Sequence, residues 1–288
     1  MSRVGVVGNV SYDGLPAVLA TLRRRAPELG MTLLFEDELW PLVDDAERLT
    51  STDSIDALVT LGGDGTMLRG ARLIGERHIP ILGINLGRLG FLTACGGDEL
   101  ERAVERLATG DYIIQPRMAL DAHSPRPSHT RWRALNDIVL HKGGFARVVH
   151  LRVSVNAELI GVYAADGIII SSPTGSTAYN LSAGGPVVVP SFESIVVTPI
   201  SPHTLAVRPV VLPPDSEITV KAEDGPEELL VTVDGQVGAM FTAGDTLHVE
   251  RSDRPVLIVR FRDYTFFSRM RRKLGWGGHI PRDEGEPC

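Results

Sequence analysis

The chain has 288 residues, 43% of them hydrophobic and 23% charged, with a formal net charge of −7. That length allows one large domain or two modest ones, and the composition is that of an ordinary globular protein. The acidic balance speaks against broad nucleic-acid binding, though it leaves room for a local basic patch that holds a phosphate compound. Two cysteines, Cys95 and Cys288, are too few for a disulfide framework or a cysteine zinc cluster.

Met1-Ser2-Arg3 leads straight into "VGVVGN" (4–9), which reads as a buried strand rather than a signal peptide. No apolar run approaches the roughly 20 residues of a membrane span, so the expected compartment is the cytoplasm. "PAVLATLRRRAP" follows as a helix and "MTLLF" as the next strand. Then come the strand "DALVTL", a glycine turn, a helix from about Thr66, and the strand "PILGIN". "GDELERAVERLATG" is amphipathic, with Leu100, Val104 and Leu107 on one face and Gly110 as its stop. Strands separated by helices imply right-handed crossovers and a parallel sheet.

From about Tyr112 the texture changes to short β-branched runs: "RALNDIVLH", "HLRVSVNAELIGVYAADGIIIS", "SIVVTPI", "RPVVLP", "EITVKA", "LLVTVDGQ", "TLHVE" and "VLIVRF". Turn signals such as "NAEL", "PPDS", "EDGP" and "DG" separate them, which favours a β-sandwich. "SPRPSHTR" (124–131) reads as a loop, and the tail "RDYTFFSRMRRKLGW" returns to an aromatic and basic mixture. The expected organisation is an α/β domain with a parallel sheet over 1–112 and an all-β sandwich over 113–262. The tail, 263–288, is expected to pack back on the first domain.

Chemistry concentrates where strands end. Gly62-Gly63-Asp64-Gly65-Thr66 lies at the carboxyl end of a strand, where open α/β sheets place ligands. It is neither a P-loop, since Ala71 and Arg72 follow Gly70, nor a dinucleotide fingerprint, since Leu68 stands at the third glycine. Asp64 reads either as a helix N-cap or as a ligand-binding or catalytic group. A second glycine turn, "NLGRLGFL" (85–92), follows the next strand. "ADGIIISSPTGSTAYNLSAGGP" (165–186) offers hydroxyls, backbone donors and one aromatic ring, which is equipment for gripping a nucleoside. Asn136 and Asp137 in "LNDIVLH" suit the two hydroxyls of a ribose, or form an ordinary turn. No G-x-S-x-G elbow supports a serine hydrolase, and the eight histidines have no zinc-motif companions. The cations Arg269, Arg271, Arg272 and Lys273 read as a solvated helix end in preference to a phosphate or subunit contact. His203 in "PISPHTL" reads as structural.

Together these stretches closely resemble the NAD kinases, from "LVTLGGDGTMLR" through "GINLGRLGFL", "LNDIVLH", "ADGIIISSPTGSTAYNLSAGGPVV" and "VTPISPHTLAVRPVVL" to "VDGQ". The resemblance implies the NAD kinase/diacylglycerol kinase-like fold, with an active site between an α/β domain and a β-sandwich. It also implies phosphoryl transfer from ATP, or another donor such as polyphosphate, to the 2′-hydroxyl of the adenosine ribose of NAD. By the same resemblance Asp64 is the proton acceptor, and Gly65, Arg69 and Arg147 contact the dinucleotide. Asn136 and Asp137 match an Asn-Glu/Asp pair on a ribose, where Glu is commoner than Asp. Asp166 matches an aspartate near the nicotinamide end, with Thr174 following. Thr177, Ala178, Tyr179, Asn180, Leu181 and Ser182 form the adenosine segment, Tyr179 and Phe91 flank the adenine, and Gln236 is a further contact. The glycines Gly62, Gly63 and Gly65, with Thr66, would admit donor phosphates to a helix N-terminus. A divalent cation, Mg²⁺ held mainly by the donor, is implied, with no cluster of protein ligands visible. A homo-oligomer, dimer or tetramer, is expected, with no nucleic-acid or membrane partner. The alternatives are a lipid kinase of the diacylglycerol or sphingosine type, which shares "GGDGT", and a non-catalytic NAD(H) sensor.

Overall fold

A computed structural model describes residues 2–43, 46–88, 90–125, 130–143, 148–204, 206–224, 229–263 and 265–276. The chain divides into two units. One comprises 1–70, 79–115 and 258–288, and the other comprises 71–78 and 116–257.

The first unit is an α/β structure. Its sheet runs, in spatial order, through Glu47–Arg48, Met31–Phe35, Ser2–Gly8, Ala57–Leu61, Ile81–Asn85, Val256–Arg260 and Ile113–Arg117, with Cys95–Gly96 paired to Ile81–Asn85. Parallel pairing extends from Glu47–Arg48 across to Val256–Arg260. Ala57–Leu61 and Ile81–Asn85 are buried at every position, as expected of central strands covered on both faces. Helices α1 (Leu15–Glu28), α2 (Asp64–Ile74) and α3 (Leu100–Thr109) follow strands in this unit. In α3 the apolar stripe Leu100, Ala103, Val104 and Leu107 is buried, and Gly110 ends the helix at φ 76°. Their core joins Leu19 and Leu22 of α1 with Val4, Val6, Val59, Leu82 and Ile84 of the strands.

The second unit is an antiparallel sandwich. One sheet runs Val210–Leu212, Ile195–Ile200, Gly167–Ser171, Asp137–Lys142, Leu229–Val233 and Gln236–Phe241. The other runs Glu158–Ala165, Val149–Val155, Ile218–Asp224, Thr246–Arg251, Leu120–His123 and Arg131–Ala134. Alternate residues of both sheets fill one core, among them Ile138, Leu140, Ile168, Ile170 and Val231 from the first and Leu151, Val153, Val220 and Leu247 from the second. Two hairpins turn on residues with positive φ, Asn156-Ala157 and Asp234-Gly235, the geometry that matches strand twist. The short helix α4 (Tyr179–Ser182) lies in the polar segment after Gly167–Ser171.

The last helix, α5 (Phe266–Leu274), belongs to the first unit. Thr265 caps it by accepting from the Ser268 N–H, and Gly275 ends it at φ 66°. The expected loop over 124–131 and the "EDGP" turn fall partly outside the described residues, and 277–288 wholly so.

Candidate active site

In the first unit the buried strand Ala57–Leu61 delivers Gly62-Gly63 to the start of α2, whose first residue is Asp64. The Asp64 carboxylate does not cap its own helix. Oδ2 accepts the Phe91 N–H at 2.7 Å and Oδ1 accepts the Leu92 N–H at 2.9 Å, both from the second glycine turn. That turn approaches so closely that a Cβ on Gly90 would lie 2.0 Å from Asp64 Oδ1, which explains the glycine there. Gly63 and Gly65 differ. Neither has a left-handed φ, and a Cβ on either would meet nothing nearer than Asn85 Oδ1 at 4.0 Å. Neither a left-handed conformation nor a close approach by another part of the chain requires glycine at these two positions. Asn85 is buried and donates from Nδ2 to the Gly87 carbonyl, but its Oδ1 has no hydrogen-bond partner among the described residues. Thr66 is buried against Gly62.

Arg69, on α2, spends its guanidinium within this unit. It donates to Glu36 at 2.8 Å, to Glu38 at 2.6 Å and to the Gly8 carbonyl at 2.5 Å. Burial pushes the Glu36 carboxyl upward, against the Gly8 N–H and Arg69, which favour its charge. Phe91 is 8% exposed, with the Lys273 ammonium 4.9 Å from its ring centre and the Phe266 ring at 6.1 Å.

In the second unit Asp234, in the Asp234-Gly235 hairpin turn, holds the "LND" backbone. Its carboxylate accepts N–H groups from Leu135 at 3.0 Å, Asn136 at 2.7 Å and Asp137 at 3.2 Å. Burial, and next the Asp234 charge, push the buried Asp137 carboxyl from 3.8 up to about 7. Asp234 is also raised by burial, but three N–H donors and Arg72 favour its ionised form, so Asp137 is the carboxyl that favours its proton. The Asn136 carbonyl accepts from the Ser172 N–H at 2.9 Å, and a Cβ on Gly175 would lie 2.1 Å from it. "LND" and "SSPTGS" are thus packed together, with Thr174 accepting from Arg117 at 3.3 Å. Asp166 pairs with Lys142 at 2.6 Å.

Within 177–182 the side chains divide. Asn180 is fully buried and wholly used inside the fold: it donates to the Ser176 and Pro186 carbonyls and accepts from Thr198 at 2.7 Å. Thr177 donates to the Thr174 carbonyl at 3.3 Å. Tyr179 is 46% exposed, Ser182 is exposed, and Ala178 and Leu181 are half-buried. Gln236 accepts from Arg72 at 2.8 Å. It lines a cavity of about 370 Å³ with Arg72, Trp132, Arg133, Leu135 and Asp234.

The structure therefore gathers Gly62, Gly63, Asp64, Gly65, Thr66, Arg69 and Phe91 in one unit. Asn136, Asp137, Asp166, Thr174, 177–182 and Gln236 fall in the other. Arg147 lies outside the described residues. One expectation is corrected. The basic end of α5 is not merely solvated: Arg269 is 5% exposed and donates to the carbonyls of Gly90 (3.3 Å), Thr93 and Ala94 (2.7 Å), and Lys273 Nζ lies 3.7 Å from Asp64 Oδ2. A guanidinium makes charge-assisted hydrogen bonds to backbone carbonyls, and nothing in the local sequence announces them. His203 donates its backbone N–H to the Ala164 carbonyl at a strand connection. Sequence reasoning also passed over Asp234, although the "DG" turn signal marked its position, and Asn85.

Comparison with known proteins bears on both units. Residues 43–112 match the model of the ATP-NAD kinase N-terminal domain, and 135–261 that of the ATP-NAD kinase C-terminal domain. The NAD kinase of Gemmatimonas aurantiaca is 63% identical over 284 residues, covering 98% of each chain. That of Geobacter sp. (strain M21) is 40% identical over 286 residues, 96% of this chain and 99% of the relative. A crystal structure of yeast NADH kinase complexed with NADH is similar at a TM-score of 0.84 and 26% identity, covering 98% of this chain and 90% of that one. An Archaeoglobus fulgidus NAD kinase in complex with ATP is similar at 0.73 and 25%, covering 95% and 97%.

Proposed function

Because the chain belongs to the NAD kinase family, its reaction is transfer of a phosphoryl group to the 2′-hydroxyl of the adenosine ribose of NAD, giving NADP, and we propose that Asp64 is the base that enables it. This membership sets aside the lipid-kinase and sensor readings. The observation that carries the residue assignment is the Asp64 carboxylate itself, fixed by two N–H groups of another turn and partly open to solvent. A ribose hydroxyl is a poor nucleophile at neutral pH, and a carboxylate within hydrogen-bond reach takes its proton as the new O–P bond forms. Two backbone donors oppose rotation of that carboxylate, which is positional preorganisation.

Gly63 and Gly65, whose Cβ positions open onto no protein atom, are the proposed approach for donor phosphates, with the N-terminus of α2 favouring their charge. ATP is the proposed donor, consistent with the ATP complex of the Archaeoglobus relative. A divalent cation, Mg²⁺, fits what the residues offer. Among the described residues no group of three histidine, cysteine or carboxylate side chains converges to cage one, so the donor's phosphates would supply most of its ligands. Asn85 Oδ1, buried without a partner beside the glycine turn, is a hard oxygen suited to the cation or one of its waters. When bound, the cation supplies charge neutralisation at the transferring group.

For the dinucleotide, Asn136 and Asp137 are the proposed ribose contacts. A carboxyl that keeps its proton up to about pH 7 both donates to and accepts from hydroxyls. Exposed Tyr179 is the proposed adenine stack, and the backbone of 177–182 supplies the edge contacts. Asn180 and Arg69 serve this reading by holding their own segments in place. A homo-oligomer is proposed from the exposed apolar side chains of the edge strand Glu158–Ala165, where Leu159, Ile160 and Val162 face solvent.

The test is a coupled assay in which the purified chain receives NAD, Mg²⁺ and a panel of ATP, GTP and polyphosphate, and NADP is read with an NADP-specific dehydrogenase. NADP formation that needs both donor and cation is the expected result. Turnover without added divalent cation in the presence of chelator would contradict the cation proposal, and faster turnover with polyphosphate than with ATP would replace the donor.

A further inference from the structure

The four cations of α5 do unlike things. Arg269 is a buried anchor, its guanidinium bonded to the carbonyls of Gly90, Thr93 and Ala94. Arg260, on the strand Val256–Arg260, is buried against the same stretch and donates to the Thr93 and Phe91 carbonyls at 2.6 and 2.9 Å. Two buried guanidinium groups thus fix the backbone whose Phe91 and Leu92 N–H groups hold the Asp64 carboxylate. Lys273 stands four residues beyond Arg269, on the same face of the helix. Its Nζ lies 3.7 Å from Asp64 Oδ2 and 4.9 Å from the Phe91 ring centre, and its side chain is 37% exposed. At 3.7 Å the contact is an ion pair but not a hydrogen bond, and Oδ2 already accepts the Phe91 N–H at 2.7 Å. Anchoring α5 through Arg269 therefore delivers an accessible ammonium to the carboxylate without committing its N–H donors to it.

From this arrangement we propose that Lys273 is a further catalytic residue, whose ammonium contacts the phosphoryl group during transfer. The proposal rests on the assignment of Asp64 as the base. If Asp64 accepts the ribose proton, the nucleophilic oxygen lies within hydrogen-bond reach of the carboxylate and the phosphorus lies one forming bond beyond. The O–P bond to the ribose forms and the bond from phosphorus to the bridging oxygen of the donor breaks. The electron pair of that bond leaves with the donor's diphosphate, and the hydroxyl proton goes to Asp64. Three phosphoryl oxygens must approach a carboxylate of like charge, and a cation beside that carboxylate offsets the repulsion as charge spreads over them. Lys273 acts in this step as a positive charge and a hydrogen-bond donor.

The experiment compares Lys273→Met, Lys273→Arg and Lys273→Ala in the full chain, with Asp64→Asn alongside. Turnover at saturating NAD and ATP, NAD binding by calorimetry and thermal melting are measured for each. Loss of one preorganised charge donor at the reacting group predicts a kcat roughly 100-fold lower in Lys273→Met, with NAD affinity and melting temperature little changed. Lys273→Arg should keep most activity, and added ethylammonium should restore at least about tenfold to Lys273→Ala, which a structural role would not allow. A Lys273→Met enzyme within threefold of the parent, while Asp64→Asn is inactive, would overturn the proposal and leave the base assignment standing. An inactive Lys273→Ala that neither ethylammonium nor the Arg variant restores, and that melts early, would make Lys273 structural. Normal turnover in Asp64→Asn would instead remove the base assignment on which the proposal rests.

Discussion

Two neighbouring carboxyl groups differ in their surroundings: half-buried Asp234 is held ionised by three backbone N–H groups, whereas burial raises Asp137 toward its protonated form. The consequence for stability follows from linkage. The Asp137 carboxyl is raised from 3.8 to about 7, so between these pH values the folded chain holds a proton that the unfolded chain has released. Stability from this group is intact near pH 4 and falls as pH rises toward 7, by roughly 1.4 kcal/mol for each unit of the shift. Asp137→Asn removes the titration, so the variant should melt several degrees above the parent at pH 8 and alongside it near pH 4. Melting curves at the two pH values check this, and a gap that fails to narrow on acidification would mean that folded Asp137 is ionised. At this scale the sequence showed "LND" as a ribose-binding or turn pair, since amide and carboxyl side chains are legible by type. It could not show the partner, because Asp234 lies almost a hundred residues further on and meets Asp137 only through the pairing of Asp137–Lys142 with Leu229–Val233.

The elements were legible wherever periodicity and burial agree. Ala57–Leu61, Ile81–Asn85 and α3 are apolar on every face or on one stripe, and each stands where that pattern put it. Helix α2 begins at Asp64, two residues before the expected Thr66. The strand Gln236–Phe241 was missed. Gly238 interrupts it, and Val237 and Met240 are 69% and 63% exposed, so it shows no alternation between core and solvent. The basic end of helix α5 reads as solvated in the sequence, because the groups that bury Arg269 are backbone carbonyls distant in sequence. Replacing Arg269 by Leu strands those carbonyls and removes charge-assisted hydrogen bonds of about 1.5–3 kcal/mol each. The loss should be at least ~3 kcal/mol in denaturant unfolding, against less than about 0.5 kcal/mol for exposed Arg271→Gln. Equal effects of the two substitutions would show that α5 is not anchored through Arg269.

For the whole molecule the chemistry was readable before the architecture. Glycine turns, a hydroxyl-rich segment and one misplaced aspartate survive as short strings, whereas the grouping of 71–78 with 116–257 depends on contacts between distant segments. The edge strand Glu158–Ala165 belongs to this scale as well, since Leu159, Ile160 and Val162 are apolar surface that a second copy of the chain would cover. Leu159→Lys with Val162→Lys should lower the mass measured by light scattering after size exclusion, without loss of secondary structure. An unchanged mass would move the interface elsewhere.

An aspartate in the middle of a glycine turn calls for a reason, and Asp64→Asn tests whether it is there as a base. The amide keeps the size of the side chain, removes the proton acceptor and gives up one of the two oxygens that accept from Phe91 and Leu92. Steady-state turnover measured beside calorimetric NAD binding should show kcat at least ~100-fold lower with NAD still bound, the lower end of what general-base catalysis contributes. A variant with near-normal kcat would contradict the account and reduce Asp64 to a structural acceptor for Phe91 and Leu92.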